Sequence, residues 1–206
     1  MIDALERAAG RPVSRETLAL LEAFVERLKT ASRSQNLVSA STLDTIWERH
    51  ILDCTQLVRF EPRAGASWVD IGSGAGLPGI VIAALVDGPV TLVEPRRLRA
   101  TFLEETVAVS GLADRVTVLT SKVENVRGQF DTITARAVAP LGRLLGMGLH
   151  LAHSGTIWAL PKGKNAKSEL AEAQRSWQCE ARSEASCTDP NAAILVLSKV
   201  KAKSNR

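Results

Sequence analysis

Trp68-Val69-Asp70-Ile71-Gly72-Ser73-Gly74-Ala75-Gly76-Leu77-Pro78-Gly79-Ile80-Val81 decides the fold of this 206-residue chain. It opens as a short apolar strand, passes through a glycine-rich turn and enters an apolar helix at a proline. Glycine accepts positive φ and lets the backbone approach a ligand closely, so a turn of this kind holds a nucleotide-like group. Two spacings overlap in it. Gly74, Gly76 and Gly79 fit the G-x-G-x-x-G of dinucleotide folds, whereas Asp70, Gly72, Gly74 and Gly76 fit acid-x-G-x-G-x-G.

The two registers differ in where the strand ends. The dinucleotide register places Gly72 and Ser73 in the strand, where such residues are disfavoured. The second register lets Val69 and Ile71 carry the strand directly into Gly72. Pro78 weighs the same way, because a pyrophosphate needs free N–H groups at the helix start and proline removes one. S-adenosylmethionine (SAM) has no phosphate, and its ammonium and sulfonium suit an acid such as Asp70. The turn therefore reads as the SAM-binding turn of a methyltransferase.

The chain is long enough for one domain with a sizeable core. Hydrophobic residues make up 45% and charged residues 23%, the balance of a globular protein. Four Trp, four Phe and no Tyr argue against the stacking platforms of RRM and OB folds. Ile80–Val86 is the longest apolar run and is too short to span a bilayer, so no membrane role is expected. Met1-Ile2-Asp3-Ala4 does not read as a signal peptide. Cys54, Cys179 and Cys187 are odd in number and lack C-x-x-C spacing, which points to reduced thiols and a cytoplasmic setting. The net charge of +4 leans toward an acidic partner such as nucleic acid. A monomer is expected.

Apolar spacing predicts one helix over 14–33 through Leu18, Leu21, Val25 and Leu28. It predicts a second over 43–58, with Ile46, Trp47, Ile51, Cys54 and Leu57 turned to the core. Strands are expected at 68–71, 90–94, 116–119, 131–135 and 156–160, and helices at 78–86, 96–110, 140–150 and 166–177, with a short one after Ser121. This alternation implies βαβ units. After the turn at Thr188-Asp189-Pro190-Asn191, a final strand over 192–200 would add an antiparallel edge. The expected architecture is α/β: a Rossmann-like class I SAM-dependent methyltransferase fold, mostly parallel, with a helical N-terminal cap. Residues 1–64 are assigned to the cap and 65–206 to the SAM-binding core.

Glu94 ends the second strand just over 20 residues after the turn, where an acid accepts ribose hydroxyls. With Pro95 following, it also reads as a helix-start acid. Ser121-Lys122-Val123-Glu124 follows the third strand, the usual adenine side, and has the form of a capping box. Arg136 stands just past the fourth strand, at the carboxyl-end crevice, and is the catalytic candidate. Arg96, Arg97, Arg99, Lys162 and Lys164 are candidates for RNA phosphates. His50, His150 and His153 show no metal spacing and read as structural, so no metal is expected. No triad-like order stands out. A ring nitrogen such as guanine N7 has a lone pair and no proton to lose, so its methylation needs positioning rather than a base.

The chain resembles one family, the bacterial small-subunit ribosomal RNA guanine-N7 methyltransferases RsmG, also called glucose-inhibited division protein B (GidB). The likeness runs through Asn36-Leu37, Arg49-His50-Ile51-Leu52-Asp53, the stretch from Asp70 to Gly79, Glu94 to Leu103, Thr134-Ala135-Arg136-Ala137 and Lys162-Gly163. The resemblance implies SAM contacts at Gly72, Leu77, Val123, Glu124 and Arg136. It also implies N7-methylguanine near position 527 of 16S rRNA in the small ribosomal subunit. The family often has Ser where Cys54 stands. Two other classes remain open on the residues: a SAM-dependent enzyme acting on a small molecule, and a non-enzymatic nucleotide-binding module.

Overall fold

The computed structural model describes residues 1–35 and 37–203, so Asn36, quoted above, lies outside the described residues. Seven strands follow in chain order: β1 Trp68–Ile71, β2 Val90–Val93, β3 Val116–Leu119, β4 Phe130–Thr134, β5 Ala152–Lys162, β6 Trp177–Ala185 and β7 Ala193–Ala202. They form one sheet in the order β3-β2-β1-β4-β5-β7-β6. β1 to β5 are parallel neighbours, and β7 pairs antiparallel with both β5 and β6. This is the mostly parallel sheet with an antiparallel edge that the alternation predicts.

Side chains alternate across the sheet and divide the core into two layers. Trp68, Leu92, Ala159 and Val196 face one layer, which also holds Leu5, Leu21, Val25, Leu28 and Ile51 from the N-terminal helices. Val69, Ile71, Ile133, Trp158 and Leu195 face the other, together with Leu141, Leu144 and Leu145. Strands buried on both faces read as continuous apolar runs, which is why Trp68–Ile71 was visible at once.

Four helices connect the strands: α4 Gly79–Leu85, α5 Arg97–Val109, α6 Leu141–Gly148 and α7 Ala166–Ser176. Before β1 stand α1 Ile2–Ala9, α2 Arg15–Gln35 and the one-turn α3 Asp53–Thr55. The first of these is not anticipated by the spacing argument. It is eight residues long, buries Leu5, Ala8 and Ala9, and stops at Gly10 with φ 67°. The helix expected over 43–58 starts later, and is irregular. A π-helical segment spans Trp47–Leu52, α3 follows, and a 3-10 stretch covers Gln56–Phe60. Ile46, Ile51, Cys54 and Leu57 are core as expected, whereas Trp47 is only half-buried. β6 is also new: only Trp177 and Cys179 of its nine residues are even partly buried, so it lacks a strong apolar alternation to read.

The carboxylate of Asp70, at 1% exposure, links β1 to α4. Its Oδ2 accepts the Gly79 N–H at 3.0 Å, while Oδ1 is buried without a partner. A Cβ on Gly79 would lie 2.3 Å from Leu92 Cδ2 and 2.6 Å from Asp70 Oδ2. Gly79→Ala should therefore destabilise the fold by about 1–3 kcal/mol in urea denaturation, the usual effect of overpacking. Gly163→Ala, with nothing near its would-be Cβ, should change stability by less than about 0.5 kcal/mol. Burial also raises the Asp70 carboxyl from 3.8 to about 7. In the folded state it keeps a proton that the unfolded chain has lost, so its favourable contribution disappears as pH rises from 3.8 to about 7. Asp70→Asn removes that titration. The variant should gain stability relative to the native protein across this window in denaturation curves taken as a pH series.

Candidate functional site

The turn after β1 lies at the carboxyl ends of the parallel strands, where open α/β sheets bind ligands. Gly72 and Gly74 have φ of 71° and 54°. A Cβ on Gly72 would lie 2.6 Å from Val138 Cγ2, so this glycine lets the segment after β4 close onto the turn. Gly74 differs. Its would-be Cβ meets only the Gly72 carbonyl and Arg99 Nη1, each at 3.7 Å. Positive φ without a clash is the arrangement that brings a bare backbone to a ligand. Gly76 instead makes room for Ile80, and Leu77 is buried in the core.

Glu94 is 3% exposed and braces the turn from β2. Its Oε2 accepts the Gly74 N–H at 2.9 Å, and its Oε1 accepts the Arg96 N–H at 2.8 Å. Arg96 is the N-cap residue of α5, so Glu94 does act at a helix start. Each carboxylate oxygen keeps a second lone pair, so ribose hydroxyls remain chemically compatible partners. Beyond β3, Val123 is buried and Glu124 exposed on a 3-10 turn, Val123–Asn125. The capping box expected there does not form. Lys122 is the N-cap residue, without a side-chain bond, and the Ser121 hydroxyl donates to the Lys122 carbonyl instead. One 3-10 turn presents fewer free N–H groups than the α-helix a capping box serves.

Arg136 lies on the segment that Val138 pins to Gly72, and Ala137 between them has φ 55°, rare for a residue with a Cβ. Its Nη1 stands 3.2 Å from His50 Nδ1 and 3.6 Å from Asp53 Oδ2. A guanidinium only donates, so His50 Nδ1 is the acceptor and Nε2 carries the hydrogen toward Thr42 Oγ1, 3.0 Å away. Burial, then Arg136 and Arg49, lowers His50 to about 4, which keeps the ring neutral at pH 7. Asp53 Oδ1 accepts from Gln56 Nε2 at 2.9 Å and from the Thr188 hydroxyl at 3.0 Å. Arg136, His50, Thr42, Asp53 and Thr188 line a cavity of about 250 Å³ that also reaches Arg49, Lys162 and Ser186. Sequence reasoning quotes the Arg49–Asp53 helix but misses its role. The available signal is the three-residue step between His50 and Asp53, which puts both on one helical face.

The basic candidates separate. Arg96, Arg97 and Lys164 are exposed, and Arg99 reaches over Gly74. Lys162 is held inside, 2.8 Å from Glu169 Oε2 and 3.5 Å from the Ala139 carbonyl. Among the described residues no group of three or more His, Cys, Asp or Glu is placed to hold a metal, and no helix is long and apolar enough to cross a membrane. The turn fits a cofactor with a cationic end and ribose hydroxyls: Gly74 presents bare backbone without a clash, Asp70 Oδ1 is buried and unpartnered, and Glu94 can accept further.

Comparison with known proteins agrees with this geometry. The family model for GidB, rRNA small subunit methyltransferase G, matches residues 17–193. The protein named ribosomal RNA small subunit methyltransferase G from Zymomonas mobilis is 44% identical over 203 residues, covering 94% of this chain and 91% of its own length. Its namesake from Rhizorhabdus wittichii is 46% identical over 191 residues, covering 91% of this chain and 88% of its own. Among solved structures, a SAM-dependent methyltransferase from Aquifex aeolicus superposes with a TM-score of 0.60 at 17% identity, over 81% of this chain and 96% of that one. The ribosomal protein L11 methylase from Lactobacillus delbrueckii gives 0.57 at 19% identity, over 73% and 78%. At those identities the structures share the fold alone, whereas the sequence matches reach further: this chain belongs to the rRNA small subunit methyltransferase G (GidB) family.

Proposed function

We propose that this chain transfers a methyl group from SAM to N7 of a guanine in 16S rRNA of the small ribosomal subunit. The observation that carries the reading is the turn from Gly72 to Gly79, braced by Asp70 and Glu94 and packed through Val138 against the segment bearing Arg136. SAM, when bound, supplies an electrophilic methyl on a sulfonium. On this reading Gly72, Gly74, Gly76 and Leu77 shape its seat, and Asp70 answers its positive charge. Glu94 accepts the ribose hydroxyls, while Val123 and Glu124 flank the adenine. Arg136 is the catalytic residue, orienting the methionine carboxylate, the target base or both with its planar fork.

The chemistry asks little more of the chain. Guanine N7 has no proton to remove, so a neutral His50 already committed to Arg136 and Thr42 is no obstacle. Exposed Arg96, Arg97 and Lys164, with Arg99 beside the turn, supply phosphate contacts. Lys162 contributes through its ion pair with Glu169, which ties α7 to the end of β5. In this proposal residues 1–64 act as a cap on the core of 65–206, and the protein works as a cytoplasmic monomer.

Calorimetry should show SAM binding and no binding of nicotinamide dinucleotides. Gly74→Val should abolish SAM binding in a folded protein, and Glu94→Ala should weaken it by about 1–3 kcal/mol, the range for a lost charged acceptor. Normal binding in either variant would remove that residue from the site. Single-turnover transfer of labelled methyl to small ribosomal subunits, with mapping of the modified base, tests the reaction itself. Arg136→Ala should lose nearly all of this activity, and Arg136→Lys should recover little because the fork is gone. The native rate should fall steeply with added salt, as counterion release requires. A salt-independent rate, or native activity in Arg136→Ala, would count against the arrangement.

A further inference from the structure

The cavity beside Arg136 is separate from the glycine turn, and the 136–138 segment links them, with Arg136 lining the cavity and Val138 packed on Gly72. Its volume is about 250 Å³ and it is open to solvent, so a flat purine can enter it. Its wall carries an unusual pair: a guanidinium and a carboxylate close together but not hydrogen-bonded, 3.6 Å apart. Asp53 is anchored through Oδ1 by Gln56 and Thr188, which leaves Oδ2 aimed at Arg136 with spare accepting capacity. Arg136 is anchored through the same Nη1 that faces Asp53, which gives a hydrogen to His50 Nδ1. Each group is therefore held through one atom, and both side chains line the cavity.

Resting on the guanine methylation proposed above, we propose that this cavity receives the target base and that Asp53 is the residue that identifies it as guanine. Guanine displays an acceptor, O6, beside two donors, N1–H and the N2 amine. A donor beside an acceptor is the matching surface, with Arg136 giving to O6 and Asp53 Oδ2 accepting from N1–H and N2–H. Adenine reverses the pattern at the first two positions, so its amine would face the guanidinium and its N1 lone pair the carboxylate, a mismatch at both. The pose also agrees with the chemistry. N7 shares an edge with O6, so a base held this way turns N7 toward the 136–138 segment, which packs on Gly72.

The test is a cycle between the protein and the base. Small ribosomal subunits are rebuilt around 16S rRNA carrying inosine in place of the target guanosine. Inosine keeps N7, O6 and N1–H and lacks only the N2 amine. The native protein should methylate the inosine subunits about tenfold more slowly, or worse, as expected for one bond to a charged acceptor. Asp53→Asn keeps the side chain's size and its Oδ1 contacts but puts a donor at the Oδ2 position, so the guanosine-to-inosine ratio should collapse toward one. Thermal melting and SAM affinity establish that the variant is folded; Asp53→Ala gives the same ratio should Asn disturb the fold. An undiminished ratio overturns the proposal even if both rates fall, because that pattern marks a residue that only positions Arg136. Inactivity on both substrates in a folded, SAM-binding variant overturns it as well. Failure of the native protein to methylate guanosine subunits would instead overturn the proposed function and is read separately.

Discussion

Two buried carboxylates hold the turn after β1 by its backbone, and the remainder of the site is built outward from that. Asp70 takes the N–H of Gly79 and Glu94 takes that of Gly74, so β1, β2, α4 and the start of α5 meet at one loop. Neither acid is there by default, since burying a carboxylate is unfavourable unless donors surround it. The turn supplies those donors because its glycines leave the amides uncovered. Side chains at Gly72, Gly76 or Gly79 would each collide with a neighbour at under 3 Å. Asp70 in particular takes one backbone N–H and leaves Oδ1 unpaired, and its burial raises its proton affinity, with the nearby Glu94 adding to the effect.

Much of this arrangement was legible in the sequence, and the reason is locality. The strand, turn and helix of 68–86 lie within one βαβ unit, and β1 and β2 at the centre of the sheet are almost wholly buried and mostly apolar. What the sequence hid has two causes. α1 is amphipathic but only eight residues long, too short for a helical period to stand out, and β6 is too exposed to show a strand alternation. The setting of Arg136 depends on a contact with His50 across 86 residues, and no local pattern encodes such a meeting. The capping box at Ser121 failed for the opposite reason. There the local pattern was present, but the segment formed one 3-10 turn and left little helix to cap.

The irregular helix of 47–60 explains how that distant contact is made. Its π-helical start sets His50 and Asp53 toward the crevice while Ile51 and Cys54 enter the core. π-type turns are uncommon and tend to occur at functional positions. Gln56 extends the same face, holding both the Asp53 side chain and the Cys187 N–H before β7. The N-terminal helices and the C-terminal strand pair thus meet at the cavity beside Arg136, although they are far apart in the chain.

The outermost strand, β6, carries a further consequence for how the molecule behaves in company. A nine-residue strand with one edge unpaired among the described residues is a template on which a second chain can add. Its exposed side chains answer that hazard. Glu180 is paired with Lys199, and Arg182 lies beside Glu184, so an approaching strand would have to strip water from charges along most of the edge. The polarity that makes β6 hard to recognise as a strand also opposes edge-to-edge addition of a second chain.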